Sequence, residues 1–482
     1  MKQGYIPKQE RKKILLMADD IRTHTGVGTM SREIVLGTCH RFNWFTVGSS
    51  LQHPQAGQLQ DISEDVGKET GVEDPEVKIL PYNGYGDATL VRNLLKNERP
   101  DAIFIFTDPR YWTWLFEIER EVRNRIPIIW LNIWDSTPAP YYNFPYYHSV
   151  DTLLCISRQT QLVVEEVLGE YLPQHLVKYI PHGINSDVFF PVDKKEEKFL
   201  EFKKSMFNGK DIEFTVFFNS RNMHRKHPAD LIQAYAMFCQ EIGREQAQKC
   251  ALVLHTTPVD ANGTDLHAVK NLFCDPEYCF VYFSEQSLLP SQMNLLYNVA
   301  DLTVLPSSNE GWGLSITESM MAGTMFTATV TGGMQDQMKF TDEDGNLYIP
   351  SPDLPSLHQG PEKYKKHGEW CYPIFPTNNS LVGSPNTPYI FDDRVSAESI
   401  KNNILKVWEL PKEERQRRGG KGREYALSME SGMSSPQMCR NIIEGIEETF
   451  QTFRPRPHFE LLRVEPSKKR EKKVKMYGYG KK

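Results

Sequence analysis

The stretch Pro306-Ser-Ser-Asn-Glu310-Gly-Trp-Gly-Leu-Ser-Ile-Thr-Glu318-Ser-Met-Met-Ala-Gly323 sets two carboxylates eight positions apart around two glycines. The apolar run 302–305 before it reads as a strand and the residues after it as a helix, so the glycines fall in a strand-to-helix turn. With no side chains at Gly311 and Gly313, backbone N–H groups can approach an anion, and the helix N-terminus behind them adds a favourable dipole. The chemistry implied is phosphate binding. Glu310 is expected in the loop facing such a ligand and Glu318 in the first helical turn over the same opening, so the pair can grip the two ends of one polyhydroxylated molecule. Two plainer readings stand beside this one. Ser315-Ile-Thr-Glu318 has the form of a capping box, in which the glutamate only satisfies a backbone donor, and Glu310 reads equally as a solvated loop carboxylate.

A second group is cationic. Phe217-Phe-Asn-Ser-Arg221-Asn-Met-His-Arg-Lys226-His-Pro228 ends a strand and concentrates positive charge. Arg offers a fork and Lys a point charge to a diphosphate; the plain alternative is a surface basic cluster. Three further stretches carry candidates: Gly26-Val-Gly28 after the first strand, Ile133-Trp134-Asp135-Ser136 after a later one, and Asp108 in Thr107-Asp-Pro-Arg-Tyr111. For Asp135 and Asp108, polar work in a cleft and an ordinary core or capping role both remain open.

The segment 304–333, including Thr331-Gly-Gly333, resembles the Glu, seven residues, Glu motif of the family-4 retaining glycosyltransferases of GT-B fold. The resemblance extends over residues 12 to 450 and is strongest at 179–189, 216–228 and 304–333. It implies an α/β fold of two facing Rossmann-like domains with a central cleft. By that likeness Glu310 contacts the donor sugar, Glu318 binds ribose hydroxyls, and the N–H groups of Gly311, Trp312, Gly313, Leu314 and Ser315 receive phosphate or sugar oxygens. Arg221 and Lys226, five positions apart, match the pair that neutralises the leaving diphosphate, and Gly28 matches the glycine loop across the cleft. Tyr179-Ile-Pro-His182-Gly-Ile-Asn-Ser-Asp-Val-Phe189 resembles the family's inter-domain segment, where the role is structural and a catalytic His182 is the lesser alternative. Where the family often carries a His, this chain has Trp134, so Asp135 or Asp108 is expected to take over the polar work there. The implied donor is a nucleoside-diphosphate sugar, UDP first, with hexosyl or pentosyl transfer, no metal ion and no other cofactor.

Elements that could position these residues follow from the apolar pattern. Strand-like runs at 14–18, 43–47, 77–80, 102–106, 126–133 and 152–156 alternate with helical patterns and mostly lack polar alternation, as in a parallel sheet covered on both faces. The first helix is expected from about Ser31 towards Cys39, after a loop holding the two glycines. A change of texture near 180–212 suggests the division into residues 1–185, an acceptor domain, and 186–434, a donor domain. A C-terminal helix at 435–457 is expected to pack back on the first domain, and 458–482 forms a basic tail. Residues 341–395, rich in Pro, Gly, Asn and Tyr, read as an insertion of loops.

Of the 482 residues 39% are hydrophobic and 24% charged, an ordinary balance for a globular chain too long for one core. The eight cysteines, with no Cys-x-x-Cys pair, are expected to be reduced and mostly buried. No window has the length of uncharged apolar chain that a membrane span needs, and the N-terminus does not read as a signal peptide, so the expected location is cytoplasmic. Residues 468–482 hold eight Lys or Arg against one Glu, so this tail carries +7 of a net −6 and leaves −13 to the rest. An anionic partner for the tail or a merely solvated terminus both fit. The aromatic residues Trp112, Trp114, Trp130, Trp134, Tyr141, Tyr142, Phe144, Tyr146 and Tyr147 suggest a stacking surface on the acceptor side. Together with the tail they point to a hydroxymethylated pyrimidine in DNA as acceptor, resembling the phage enzymes that glycosylate such bases. A glycan, a lipid-linked sugar or a small molecule competes with it. A non-catalytic GT-B-fold binding subunit, or a nucleotide-sugar epimerase, is the alternative of another class.

Overall fold

Long apolar runs without polar alternation can lie only where both faces of a sheet are covered, and the computed structural model, which describes residues 4–49, 52–347 and 366–457, is built on two such sheets. The first contains β1 (Lys12–Asp19), β2 (Phe42–Ser49), β3 (Gln60–Asp61), β4 (Val77–Pro81), β5 (Ala102–Phe106), β6 (Ile128–Asn132), β7 (Thr152–Cys155) and β8 (Leu176–Tyr179). Their order across the sheet is β3-β4-β2-β1-β5-β6-β7-β8, and every pairing except β3 with β4 is parallel. β2, β5, β6 and β7 are buried along their whole length. The second sheet holds β9 (Phe214–Asn219), β10 (Cys250–His255), β11 (Phe280–Ser284), β12 (Leu302–Leu305), β13 (Met325–Thr329) and β14 (Cys371–Ile374), all parallel, in the order β11-β10-β9-β12-β13-β14. Both sheets thus reverse their winding once, between β1 and β5 and between β9 and β12.

The helix Gly26–Thr38 starts more than a turn earlier than its apolar pattern predicts. Thr25 caps it, its hydroxyl accepting from the Gly28 N–H at 3.0 Å, so Gly26 and Gly28 belong to the first helical turn and not to a loop before it. The final helix Ser435–Thr452 leaves the second sheet and lies against this first helix: a Cβ at Gly37 would fall 2.2 Å from the Cys439 sulfur, and the Thr449 hydroxyl lies 2.8 Å from that of Thr152 in β7. The chain therefore crosses between the halves twice, near 184 and near 434, and the two crossings are laced together. Ile184 N–H donates to Met433 O at 2.9 Å and Ser435 N–H to Ile184 O at 3.0 Å, while Gly183 leaves no room for a Cβ, which would lie 2.4 Å from Ser434 O.

Two expectations change. Residues 341–395 are not all loop: β15 (Asn378–Ser384) and β16 (Thr387–Arg394) form an antiparallel hairpin that joins neither large sheet, while 348–365 of the expected insertion lie outside the described residues. The aromatic run 112–147 is mostly core. Trp112, Trp130 and Tyr147 are wholly buried, because these rings fill the layer under β5 and β6, whereas Trp134 lies outside that cluster at 8% exposed and Tyr141 stands well out. The basic tail 468–482 lies outside the described residues. All eight cysteines are free and buried, and among the described residues no helix is long and apolar enough to cross a membrane.

The halves also meet face to face. Asp336, in a helix after β13, accepts from the Arg158 N–H that opens the helix after β7, at 2.9 Å, and Gln159 bonds Gly332 N–H and Gln335 beside it. Burial raises the Asp336 carboxyl from 3.8 to about 6, against the lowering effect of Arg158. The folded chain then holds a proton that the unfolded chain releases between about pH 4 and about pH 6, so stability falls as pH rises through that window, by about 3 kcal/mol. Asp336→Asn retains an acceptor for Arg158 and cannot titrate. It is expected to match the parent's unfolding free energy near pH 4 and to exceed it at pH 7.5; an equal difference at both pH values would refute the raised carboxyl.

Candidate active site

Where a parallel sheet reverses its winding, the loops leaving the carboxyl ends of two adjacent strands diverge and open a crevice. In the second sheet these loops are 220–227 after β9 and 306–313 after β12, the two stretches singled out from the sequence. They are tied to each other by main chain and side chain. Ser308 N–H donates to Arg225 O at 2.8 Å, and the Ser308 hydroxyl lies 2.7 Å from His227 Nε2. His227 takes a left-handed backbone at φ 52° where the chain turns into the helix Pro228–Ile242.

Lys226 and Glu310 meet at this junction. Both are buried, and the Lys226 ammonium donates directly to the Glu310 carboxylate, which also accepts from the Ser307 hydroxyl at 3.2 Å. Arg225 donates to Asn309 O at 2.6 Å, and the same Nη1 stands 3.9 Å from Glu310 Oε2 and 3.8 Å from Asp135 Oδ2 of the first domain. Burial penalises the Glu310 charge, but Lys226 and Arg225 outweigh it and hold the carboxyl below its usual range. Burial also pushes Lys226 below the usual lysine value, with Glu310 opposing the shift. Removing either partner would strand the other in a dry site, which typically costs about 3–5 kcal/mol.

The glycines are required by close approaches. Gly313 has φ 85° and caps the helix Leu314–Met321, and a Cβ at Gly311 would lie 2.9 Å from Ile133 O across the cleft. Behind them the Thr331-Gly-Gly333 turn clamps the Glu310 backbone: Gly333 N–H donates to Glu310 O at 3.1 Å, and a Cβ on Gly332 would fall 1.8 Å from that oxygen. Trp312 is buried and braced, its indole N–H on Thr317 and its carbonyl accepting from Gln337. Leu314 reaches the other half, 3.3 Å from where a Cβ on Gly26 would be, and Ser315 is buried at the helix start.

Glu318 does not cap its helix. The N-cap is Gly313, without a side-chain cap bond, and Glu318 Oε2 instead accepts from Tyr297 Oη at 2.5 Å and Asn219 Nδ2 at 3.5 Å. Burial raises its carboxyl above the ordinary value against those two bonds. The capping-box reading is thereby corrected: the helix begins one residue before Ser315, so Glu318 sits on its fifth position, beyond reach of the orphan donors.

Arg221 stands apart from the Lys226–Glu310 pair. Its side chain is 60% exposed and forms an ion pair with Asp260 at 2.8 Å. At Gly28 a Cβ would meet Thr23 Oγ1 at 2.1 Å and Asp20 O at 2.8 Å, so its own loop requires the glycine. Asp135 accepts from the Ser136 hydroxyl at 2.9 Å and faces Arg225, whereas Asp108 is engaged by Arg110 next to it. His182 is wedged between the Phe106 and Trp312 rings, and burial lowers its pKa to about 3, so it is neutral. Sequence reasoning missed Arg225, Asn309 and the Tyr297–Asn219 pair. Arg225 carried a signal, since it precedes Lys226 within one tight turn, whereas Tyr297 arrives from a distant helix and carried none.

Two curated relatives align with part of the chain. An alpha-monoglucosyldiacylglycerol synthase of Streptococcus pneumoniae is 27% identical over 179 residues, 37% of each protein. A D-inositol 3-phosphate glycosyltransferase of Corynebacterium jeikeium is 27% identical over 184 residues, 38% of this chain and 42% of the relative. The chain thus spans about two fifths of the length of these relatives. Solved structures align over nearly the whole chain: Anabaena HepE in complex with UDP and glucose has a TM-score of 0.62 at 12% identity over 91% of this chain and 100% of that one. Sucrose-phosphate synthase from Thermosynechococcus elongatus has a TM-score of 0.61 at 15% identity over 92% and 100%. The chain has the GT-B fold, and its residues 200–365, which carry both loops of the crevice, match the family of glycosyl transferases group 1.

Proposed function

We propose that the chain transfers a glycosyl group, with retention, from a nucleoside-diphosphate sugar to an acceptor hydroxyl in the cleft between its halves. The observation that carries this reading is the buried Lys226–Glu310 pair at the winding reversal of the second sheet, with Arg225 beside it. Such a crevice, lined by fixed backbone dipoles and cations, stabilises a diphosphate as charge develops on it. In the proposed step the bond from the anomeric carbon to the phosphate oxygen breaks while a bond to the acceptor oxygen forms on the same face. The acceptor proton passes to the departing phosphate. Glu310 orients the sugar, Glu318 takes ribose hydroxyls, and Lys226 with Arg225 neutralises the leaving group. Arg221 joins them when a diphosphate competes with Asp260 for its guanidinium. UDP as the nucleotide is supported by the HepE complex, which holds UDP and glucose.

The hydroxymethylated DNA base keeps less support as an acceptor, because Trp112, Trp130 and Tyr147 among the rings expected to stack on it are core and its other support is the charge of the tail. The test is a screen of UDP-glucose, UDP-galactose, UDP-N-acetylglucosamine and GDP-mannose against saccharides, diacylglycerol, inositol phosphate and hydroxymethylated DNA. Acceptor-dependent release of nucleoside diphosphate and a product of unchanged anomeric configuration are expected. Release without any acceptor, or an inverted product, would contradict the reading.

Lys226→Ala and Glu310→Gln are each expected to lower kcat by about 10²–10³, as for removal of one preorganised electrostatic partner. Because either change unpairs a buried charge, thermal midpoints are measured alongside, and only loss of turnover by folded protein counts. Arg221→Ala is expected to weaken UDP binding while leaving the thermal midpoint unchanged, since its present partner is at the surface. An Arg221→Ala variant with parental Kd for UDP would remove Arg221 from the proposed site.

A further inference from the structure

Beside the Lys226–Glu310 pair lies a second space, a cavity of about 430 Å³ walled by Arg110, Trp134 and Asp135 of the first domain, Arg225 of the second, and Ile390 and Asp392 of the hairpin. The hairpin belongs to neither sheet, yet it is seated firmly. Phe391 N–H donates to Thr137 O at 2.7 Å in the first half, while Phe391 O accepts from Asn309 Nδ2 at 2.9 Å in the second. Tyr389 O accepts from Tyr142 Oη at 2.9 Å, its hydroxyl donates to Ala139 O at 3.3 Å, and the two rings stand edge to face at 4.8 Å. Arg110 Nη1 donates to Thr387 Oγ1 at 3.2 Å. Most of these bonds use main-chain atoms of β16, so its position is fixed independently of the side chains it turns towards the cavity.

The charges around the space are specific in sign. Asp108, Asp135 and Asp392 supply three carboxylates against two guanidiniums. Both guanidiniums are already engaged: Arg110 by Asp108 and Thr387, Arg225 by Asn309 O with Asp135 and Glu310 close by. A phosphorylated acceptor would meet net negative charge and lose its hydration without a cation to replace it. A neutral polyol offers hydroxyl donors to the carboxylates without adding charge, and its C–H face can lie against Pro109, Ile133 and Ile390.

We propose that the hairpin Asn378–Arg394 is the acceptor-selecting wall of the cleft, and that the acceptor is a neutral polyhydroxylated molecule, a free or glycosidically linked sugar, and not a phosphate ester. This rests on the transferase reading above. The acceptor oxygen bonds to the anomeric carbon, its proton leaves with the diphosphate, and the hairpin decides which molecule presents that oxygen.

The experiment uses the full chain with the same four donors and matched acceptors: glucose and maltose against glucose 6-phosphate, myo-inositol against inositol 3-phosphate, and hydroxymethylated duplex DNA. Binding of UDP is followed by calorimetry. A neutral member is expected to exceed its phosphate ester in kcat/KM by about tenfold or more, the free and linked sugars separating the two sources. Asp392→Lys is expected to shift that ratio about tenfold towards the ester, and Ile390→Trp, which fills the space, to raise the acceptor KM about tenfold with the Kd for UDP within about twofold. Preference of the parent for a phosphate ester or DNA overturns the proposal. So does an Asp392→Lys ratio equal to the parent's together with an unchanged KM in Ile390→Trp. Absence of release with every donor and acceptor removes the transferase reading itself and this inference with it; release with the wrong charge preference removes the inference alone.

Discussion

Two opposite charges cannot be taken out of water singly, and the contact between Lys226 and Glu310 is the place where this rule organises the molecule. Each residue belongs to a different loop, and each loop leaves a different strand of the second sheet. The pair can form only if β9 and β12 are neighbours with their carboxyl ends level, which the winding reversal supplies. The supports around it serve the same end. Gly332 and Gly333 let the Glu310 carbonyl sit against a turn, and Ser308 stitches one loop to the other. The cost of burying the ions is met by a geometry that also leaves a cationic rim at the mouth of the crevice, in Arg225 and, further out, Arg221.

Much of this arrangement was readable before any coordinates. Apolar runs without alternation located β1, β5 and β12 closely, because strands covered on both faces have no polar side to confuse the pattern. The two loops announced themselves by glycines and by charges at fixed spacing. What escaped were features that depend on partners far away in the chain. Glu318 looked like a helix cap because the sequence shows a Ser three residues before it, but the helix starts earlier, at the left-handed Gly313, and Tyr297 takes the carboxylate. The aromatic run 112–147 looked like a surface because rings suit both stacking and packing, and only burial distinguishes the two. The hairpin β15–β16 escaped because Pro, Gly and Asn mark turns without saying whether the segments between them pair.

The first half is shaped by the partner it faces. Gly311 comes within a missing methyl of Ile133 O, Leu314 touches the site of Gly26, and His182 fills the seam between Phe106 and Trp312 as a neutral ring. A charged ring would be out of place there, since burial penalises the imidazolium and no ion opposes that penalty. At these points the two halves fit so closely that not even an added methyl group would be accommodated.

The lacing of Ile184 to Met433 and Ser435 has a mechanical meaning. A two-lobed molecule joined by one thread can twist, slide and swing. Here both threads pass through a single backbone-bonded knot, and the Gly183 backbone is pressed against Ser434 so tightly that a methyl group would not fit. Sliding or twisting would tear those bonds, whereas a swing about the knot keeps them. Such a swing must still part the Arg158–Asp336 and Gln159–Gly332 bonds on the facing surfaces, and it leaves the first and last described segments together on one lobe, where Gly4 O accepts from Arg41 and Arg456 N–H donates to Arg123 O.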